Sequence, residues 1–185
     1  MSNLEKLLSI EHDVETCAAC DLCLTPGLHV MFRGDINASI VLVGEAPGVH
    51  EAEQGVPFVG RSGKLLDTML QTVGLNLDDV FIANICKHRP PNNRKPTSSE
   101  MNACLPFLEK QLDIVQPIVI VTLGATATEG LLGTGLGITK RRGKWDTYKD
   151  IAVMPTFHPA ACLYNPNLKN DMLMDLREVI NFIYT

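Results

Sequence analysis

Four short apolar runs alternate with stretches of helical spacing along the 185 residues. That alternation predicts an α/β chain of three layers, with helices on both faces of a four-stranded, mostly parallel sheet. The runs are Ser39 to Val43, Val80 to Ile85, Ile118 to Leu123 and Ile151 to Met154. They are rich in Val and Ile and do not alternate with polar residues, the pattern of strands buried on both faces. A second observation places function. Glu45 follows the first run, Asn84 closes the second and His158 follows the fourth, and ligands of such sheets sit beyond the carboxyl ends of the strands. No internal repeat or low-complexity segment interrupts the pattern, so residues 1–185 read as a single domain.

In chain order, residues 2–10 carry Leu4, Leu7 and Leu8 at helical spacing and predict a short first helix. Cys17-Ala18-Ala19-Cys20 follows, with Cys23 three residues on. Two thiols at this spacing suit one metal or cluster, and are equally compatible with redox chemistry or packing. The first strand ends in Gly44-Glu45-Ala46-Pro47-Gly48, a tight turn that lifts a carboxylate and backbone N–H groups above the sheet edge. Gly55-Val56-Pro57-Phe58-Val59-Gly60 leads into a helix opening near Gly63. A turn at Gly74 to Leu77 precedes the second strand, whose exit is the long segment from Asn84 through Arg94. Thr97-Ser98-Ser99-Glu100 is a capping box that starts a helix containing Cys104, Leu105 and Leu108. Gly124-Ala125-Thr126-Ala127 opens the helix after the third strand, and residues 133–150, glycine-rich and basic, predict a loop or minor hairpin. Phe157-His158-Pro159-Ala160 follows the fourth strand, and Leu168 to Tyr184 forms a closing amphipathic helix.

At 45% hydrophobic the chain can build a substantial core. No stretch reaches the roughly 18 apolar residues of a membrane span, and Met1 to Ile10 lacks a signal-peptide pattern, so a cytoplasmic monomer without a membrane partner is expected. Six cysteines are too few for a disulfide scaffold of this length, which favours metal or core roles. The formal charge of −5 argues mildly against nucleic acid. Yet Lys87, Arg89, Arg94 and Lys95 cluster in one segment and Lys140, Arg141, Arg142 and Lys144 in another, as phosphate-facing loops or as solvated ones.

Taken together, GEAPG, GVPFVGRSGKLLD, ANICKHRPPNNRKPTSSEMNAC, TLGATAT, ITKRRGKW and TFHPAACL resemble the family 4 uracil-DNA glycosylases, the iron–sulfur type, from Cys17 to the C-terminal helix. The resemblance implies hydrolysis of the N-glycosidic bond between uracil and deoxyribose in single- or double-stranded DNA, leaving an abasic site for base excision repair. It makes Glu45 the catalytic carboxylate, with Gly44 and Ala46 beside it in the substrate site. Phe58 becomes the ring that stacks on uracil, Asn84 the reader of its polar edge and His158 the partner of its O2. These roles fit the chemistry: the base must be flipped out of the stack, cation character grows on the sugar and negative charge on the departing base.

The resemblance also implies a four-iron, four-sulfur (4Fe-4S) cluster on Cys17, Cys20 and Cys104, with a fourth cysteine expected where this chain has His88. Imidazole replaces thiolate on iron in Rieske centres, and His88 keeps the spacing to Cys104; Cys86 is the alternative. Two further departures stand out. Ala52 occupies a place usually acidic, which suggests lost support for the Glu45 loop, and the wedge expected after His158-Pro159 is Leu163 followed by Tyr164 rather than arginine. A non-catalytic or covalently trapping uracil-DNA binder and a cluster-bearing redox sensor are the competing functions.

Overall fold

The computed structural model describes residues 1–185. Its core is four parallel strands, β2 (Ile40–Gly44), β3 (Val80–Asn84), β4 (Val119–Leu123) and β6 (Ile151–Thr156), side by side as β3-β2-β4-β6. Every residue of β2, β3 and β4 is buried, which is why these segments carry no polar alternation. The class is the one expected, but the sheet has six strands rather than four. Two short strands, β1 (Arg33–Gly34) and β5 (Asp146–Tyr148), lie antiparallel on the outer edges against β3 and β6. At two and three residues they are too short and polar to show a period in sequence.

Successive strand residues point to opposite faces, and each face is covered. On one side Val41, Val43, Phe81, Ala83 and Ile120 pack with α1 (Asn3–Glu15), α4 (Ser98–Val115) and α5 (Ala125–Leu132). On the other, Ile40, Leu42, Ile82, Val119 and Val121 pack with α3 (Arg61–Thr72) and α8 (Leu168–Tyr184). Helix α8 buries Met172, Leu176 and Val179 on one stripe, worth about 1.5–3 kcal/mol per side chain. The expected capping box is formed: Glu100 N–H donates to Thr97 Oγ1 at 3.2 Å and Thr97 N–H to Glu100 Oε2 at 2.7 Å. The first helix differs from expectation. It runs to Glu15 and buries Leu7, Ile10 and Val14, leaving Leu4 and Leu8 exposed, because the stripe that faces the core continues past residue 10. Short helices α2 (Val49–Gln54), α6 (Ile138–Arg141) and α7 (Pro159–Tyr164) sit in the loops. No helix is long and apolar enough to cross a membrane.

Candidate active site

The carboxyl ends of β2, β3 and β6 converge on a cavity of about 460 Å³ lined by Glu45, Ala46, Phe58, Asn84 and His158, among others. Gly44 and Asn84 are register partners on neighbouring strands. The ladder continues past both strand ends, with Ile85 N–H donating to Gly44 O at 2.9 Å and Cys86 N–H to Glu45 O at 3.0 Å. Glu45 is thereby fixed to the exit of β3, half-buried at the cavity wall.

Gly44 makes the cradle possible. A Cβ there would fall 2.4 Å from Asn84 Oδ1 and 2.6 Å from Phe58 Cζ, so only glycine lets amide and ring meet. Phe58 itself sits at φ 56°, a left-handed conformation that costs an aromatic residue about 1–3 kcal/mol. Helix α3 holds it there: a Cβ on Gly63 would lie 1.7 Å from Phe58 O, so the first turn of α3 rests directly on that peptide.

Asn84 is 2% exposed, and its Oδ1 is buried without a hydrogen-bond partner. An unpaired buried acceptor costs about 1–3 kcal/mol, so the amide stands ready for a donor brought by a ligand. His158 is the N-cap of α7, and its Nδ1 accepts Ala160 N–H at 3.1 Å. The neutral ring therefore carries its proton on Nε2, as a donor. Burial pushes its pKa down to about 4, against the opposing pull of Glu51, so the imidazole is neutral at physiological pH. The rings of His158 and Phe58 lie with centroids 5.7 Å apart.

Glu51 was not expected at the site. It lines the cavity and accepts Gly60 N–H at 2.9 Å, tying α2 to the loop that carries Phe58. Its only mark in sequence is a carboxylate in the first turn of a six-residue helix. Ala52 beside it is buried, and its carbonyl accepts Leu28 N–H at 2.7 Å. A Cβ on Gly27 would fall 2.9 Å from Ala52 Cβ. The chain before β1 thus crosses where an acidic side chain was expected, and Glu51 braces the Phe58 loop.

Residues 31–178 match the model of the Uracil DNA glycosylase superfamily. The chain belongs to that superfamily. A type-4 uracil-DNA glycosylase of Thermotoga maritima is 43% identical over 99% of this chain and 98% of its own length. One of Sulfurisphaera tokodaii is 44% identical over 97% and 84%. A type-5 uracil-DNA glycosylase of Pyrobaculum aerophilum is 32% identical over 69% and 63%.

Behind the cavity of this superfamily member lies a second polar centre. Cys86 and Cys104 are buried side by side, and Cys20 packs against the same core. Proximity to Cys104, and burial, push the Cys86 thiol up, while the same contact holds Cys104 below the ordinary thiol range. Cys86 is therefore the protonated member of the pair, and the Cys104 sulfur receives Lys87 N–H at 3.2 Å. Charge on Cys17 and Cys104 reaches Cys20 and raises it further after burial. Burial and the neighbouring His29, whose ring centroid is 6.2 Å away, push His88 down, so its imidazole is neutral. No three of these side chains converge on a single ion position. A cubane takes one ligand per iron, so its donors surround a volume rather than a point.

The basic segment after β3 differs from expectation. Lys87 is fully buried, with Nζ donating to Asn84 O at 2.8 Å and Gln111 Oε1 at 2.6 Å, and cannot face phosphate. Arg94 forks onto Glu100 at 2.8 and 2.6 Å and holds that carboxyl down to about 2, and Lys95 pairs with Glu129. Leu163 and Tyr164 are exposed at the end of α7, six residues at most from His158.

Proposed function

We infer that the chain is a uracil-DNA glycosylase that flips uracil out of DNA and hydrolyses its N-glycosidic bond in base excision repair. The observation that supports this most is the unpartnered Oδ1 of Asn84 inside a cavity that also holds a carboxylate and a neutral histidine donor. Asn84 accepts from uracil N3–H and donates to O4. Cytosine offers an acceptor and a donor at those places and would leave the buried amide mismatched. Phe58 stacks on the base, and His158 Nε2–H donates to O2, where negative charge grows as the C1′–N1 bond breaks. Glu45 stabilises the cation character at C1′ and orients the water whose oxygen forms the new bond there. Its proton passes to the carboxylate and on to solvent, and uracil leaves as the N1 anion. Because Nδ1 of His158 is spent on Ala160 N–H, the ring cannot turn to present an acceptor to O2.

Leu163 and Tyr164 suit the wedge, filling the hole in the stack by contact and stacking. The thiol centre suits a 4Fe-4S cluster on Cys17, Cys20, Cys104 and His88, with Cys86 as a thiol that hydrogen-bonds the Cys104 sulfur. When bound, the cluster supplies a structural tie between the N-terminal segment and α4. Iron content after His88→Ala and Cys86→Ala reports on this assignment: loss in the first and retention in the second are expected, and the reverse assigns Cys86.

A uracil-containing oligonucleotide, incubated with the protein and treated with alkali, tests the function. Strand breaks at uracil and none at cytosine are expected. Binding without breaks would make the chain a binder.

A further inference from the structure

We propose that a groove beside Trp145 is a second DNA subsite, which stacks a base of the single strand flanking the flipped uracil and holds its phosphates with Lys140 and Lys144. This rests on the glycosylase function for the identity of the polymer. The groove encloses about 290 Å³ between Leu136, Trp145, Pro155 and the two lysines. Other cations of this segment are spent: Arg141 donates to Gly133 O at 2.9 Å and pairs with Asp146, and Arg142 donates to Asp175 Oδ2 at 3.0 Å. Lys140 and Lys144 form no ion pair and no hydrogen bond through their side chains, in a chain of formal charge −5. Between them stands an aromatic platform open to solvent. Trp145 is 40% exposed and lies against Phe182, centroids 4.6 Å apart, which is itself 48% exposed. Free cations interleaved with exposed aromatic rings are what a single strand recognises, phosphate to ammonium and base to ring.

The groove is aligned with the active site. Strand β5 runs antiparallel to β6 with Asp146 opposite Val153, so the chain before it climbs beside β6, with Trp145 level with Met154 in mid-strand and Gly143 and Lys144 level with the carboxyl end, on the side where the uracil cavity opens. Gly143 N–H donates to Pro155 O at 2.9 Å, and Arg142 and Thr156 Oγ1 both donate to Asp175 Oδ2, at 3.0 and 2.6 Å, which fixes the segment to β6, two residues before His158. In the sheet order, β5 stands three positions from β2. At about 4.8 Å per strand that is roughly 14 Å, or about four nucleotides at ~3.4 Å each. A base four or so nucleotides from the uracil reaches Trp145.

Trp145 is the only tryptophan, so its emission reports on this groove alone. The full-length protein titrated with a uracil-free oligothymidine of about twelve nucleotides should show saturable quenching. Anisotropy of the labelled oligomer should show Trp145→Ala binding about tenfold more weakly and Trp145→Phe restoring most of the affinity. The double variant Lys140→Ala/Lys144→Ala should flatten the dependence of log affinity on log salt by about 1.4. Unchanged emission on binding, wild-type affinity in Trp145→Ala, or no oligothymidine binding at low salt would each overturn the subsite. Uracil release from a three-nucleotide substrate too short to reach Trp145 is measured alongside. Failure there, with quenching intact, removes the glycosylase function and leaves the DNA subsite; release there without quenching does the opposite.

Discussion

Asn84 and Lys87 leave the same strand three residues apart, both buried and both polar, and their hydrogen bonding differs completely. The Asn84 side-chain oxygen has no partner. The Lys87 ammonium donates to Asn84 O and Gln111 Oε1, and Gln111 in turn donates to Met31 O at 3.2 Å. Burial lowers Lys87 to about 8, with Cys104 and Cys86 pulling the other way. Burial of a polar group is therefore no mark of a binding role in itself; an unpaired atom at the cavity, as in Asn84, is more telling, since Arg33 Nε is equally unpaired beside its Asp67 partner, away from the cavity. Lys87 serves the site from behind, through the carbonyl of Asn84, the residue proposed to read the base. Changes on the cavity side should alter rate and selectivity at constant stability, and changes on the Lys87 side should alter stability at nearly constant rate per folded molecule.

The largest expected effect is at Glu45. Glu45→Gln keeps the shape of the loop and its backbone bonds to the exit of β3, but removes the carboxylate proposed to face C1′. Single-turnover release of uracil should fall by about 10²–10⁴-fold, with DNA affinity and melting temperature near wild type. A rate within threefold of wild type would remove Glu45 from the chemistry.

Asn84→Asp comes next. The carboxylate accepts from N3–H but has no N–H for O4, so uracil release should fall by roughly 10–100-fold as the base loses about 1–3 kcal/mol of pairing. The ratio of uracil to cytosine excision should narrow. A wild-type rate with unchanged base preference would mean that the orphan oxygen serves no ligand.

Lys87→Met tests the other half of the contrast. Methionine fills much of the same volume but leaves Asn84 O and Gln111 Oε1 without their donor, at about 1–3 kcal/mol for each acceptor. The midpoint of urea unfolding should drop while the rate per folded molecule changes less than tenfold. Should the rate fall as far as in Asn84→Asp with stability intact, Lys87 belongs to the site after all.

The sequence shows most of the frame and the cavity side of this contrast, because both leave local patterns. Four continuous apolar runs gave the parallel strands, Leu168 to Tyr184 matched its helix end to end, and Thr97 with Glu100 formed the capping box. Gly44, Glu45, Phe58, Asn84 and His158 all reach one cavity or its floor. The rest depends on distant partners. Nothing local to Lys87 shows that Gln111, 24 residues on, waits for its ammonium, so it reads as one more cation in a basic loop. Glu51 gains its place only when Gly60, nine residues away, folds back onto it. The minor hairpin expected within residues 133–150 is the pair of β5 with β6, whereas edge strand β1 exists because β3 offers unpaired backbone, and its own two residues carry no period.

The smallest expected effect concerns pH, and it follows from the desolvation of His158. Its pKa is ordinarily 6.5 and is pushed down to about 4 in the fold. Between those values the unfolded chain binds a proton that the native ring refuses, so stability is lost as pH falls from about 6.5 towards 4 and is unaffected above 7. Discounted for the solvent that reaches a half-buried ring, the loss is on the order of 1 kcal/mol, or about 2–4 °C in Tm for a chain of this size. Two carboxyls add their own pH dependence: Glu100, held down by Arg94, acts in the same direction at lower pH, and Asp175, raised by burial, acts in the opposite one. The informative quantity is therefore the difference between wild type and His158→Ala, measured from pH 7 to pH 4.5, in which those terms cancel. The Tm gap between the two proteins should shift in favour of the variant as the pH drops. A gap that stays constant across the range would mean that the folded ring takes up its proton as readily as the unfolded one, and that burial does not hold His158 neutral below pH 6.5.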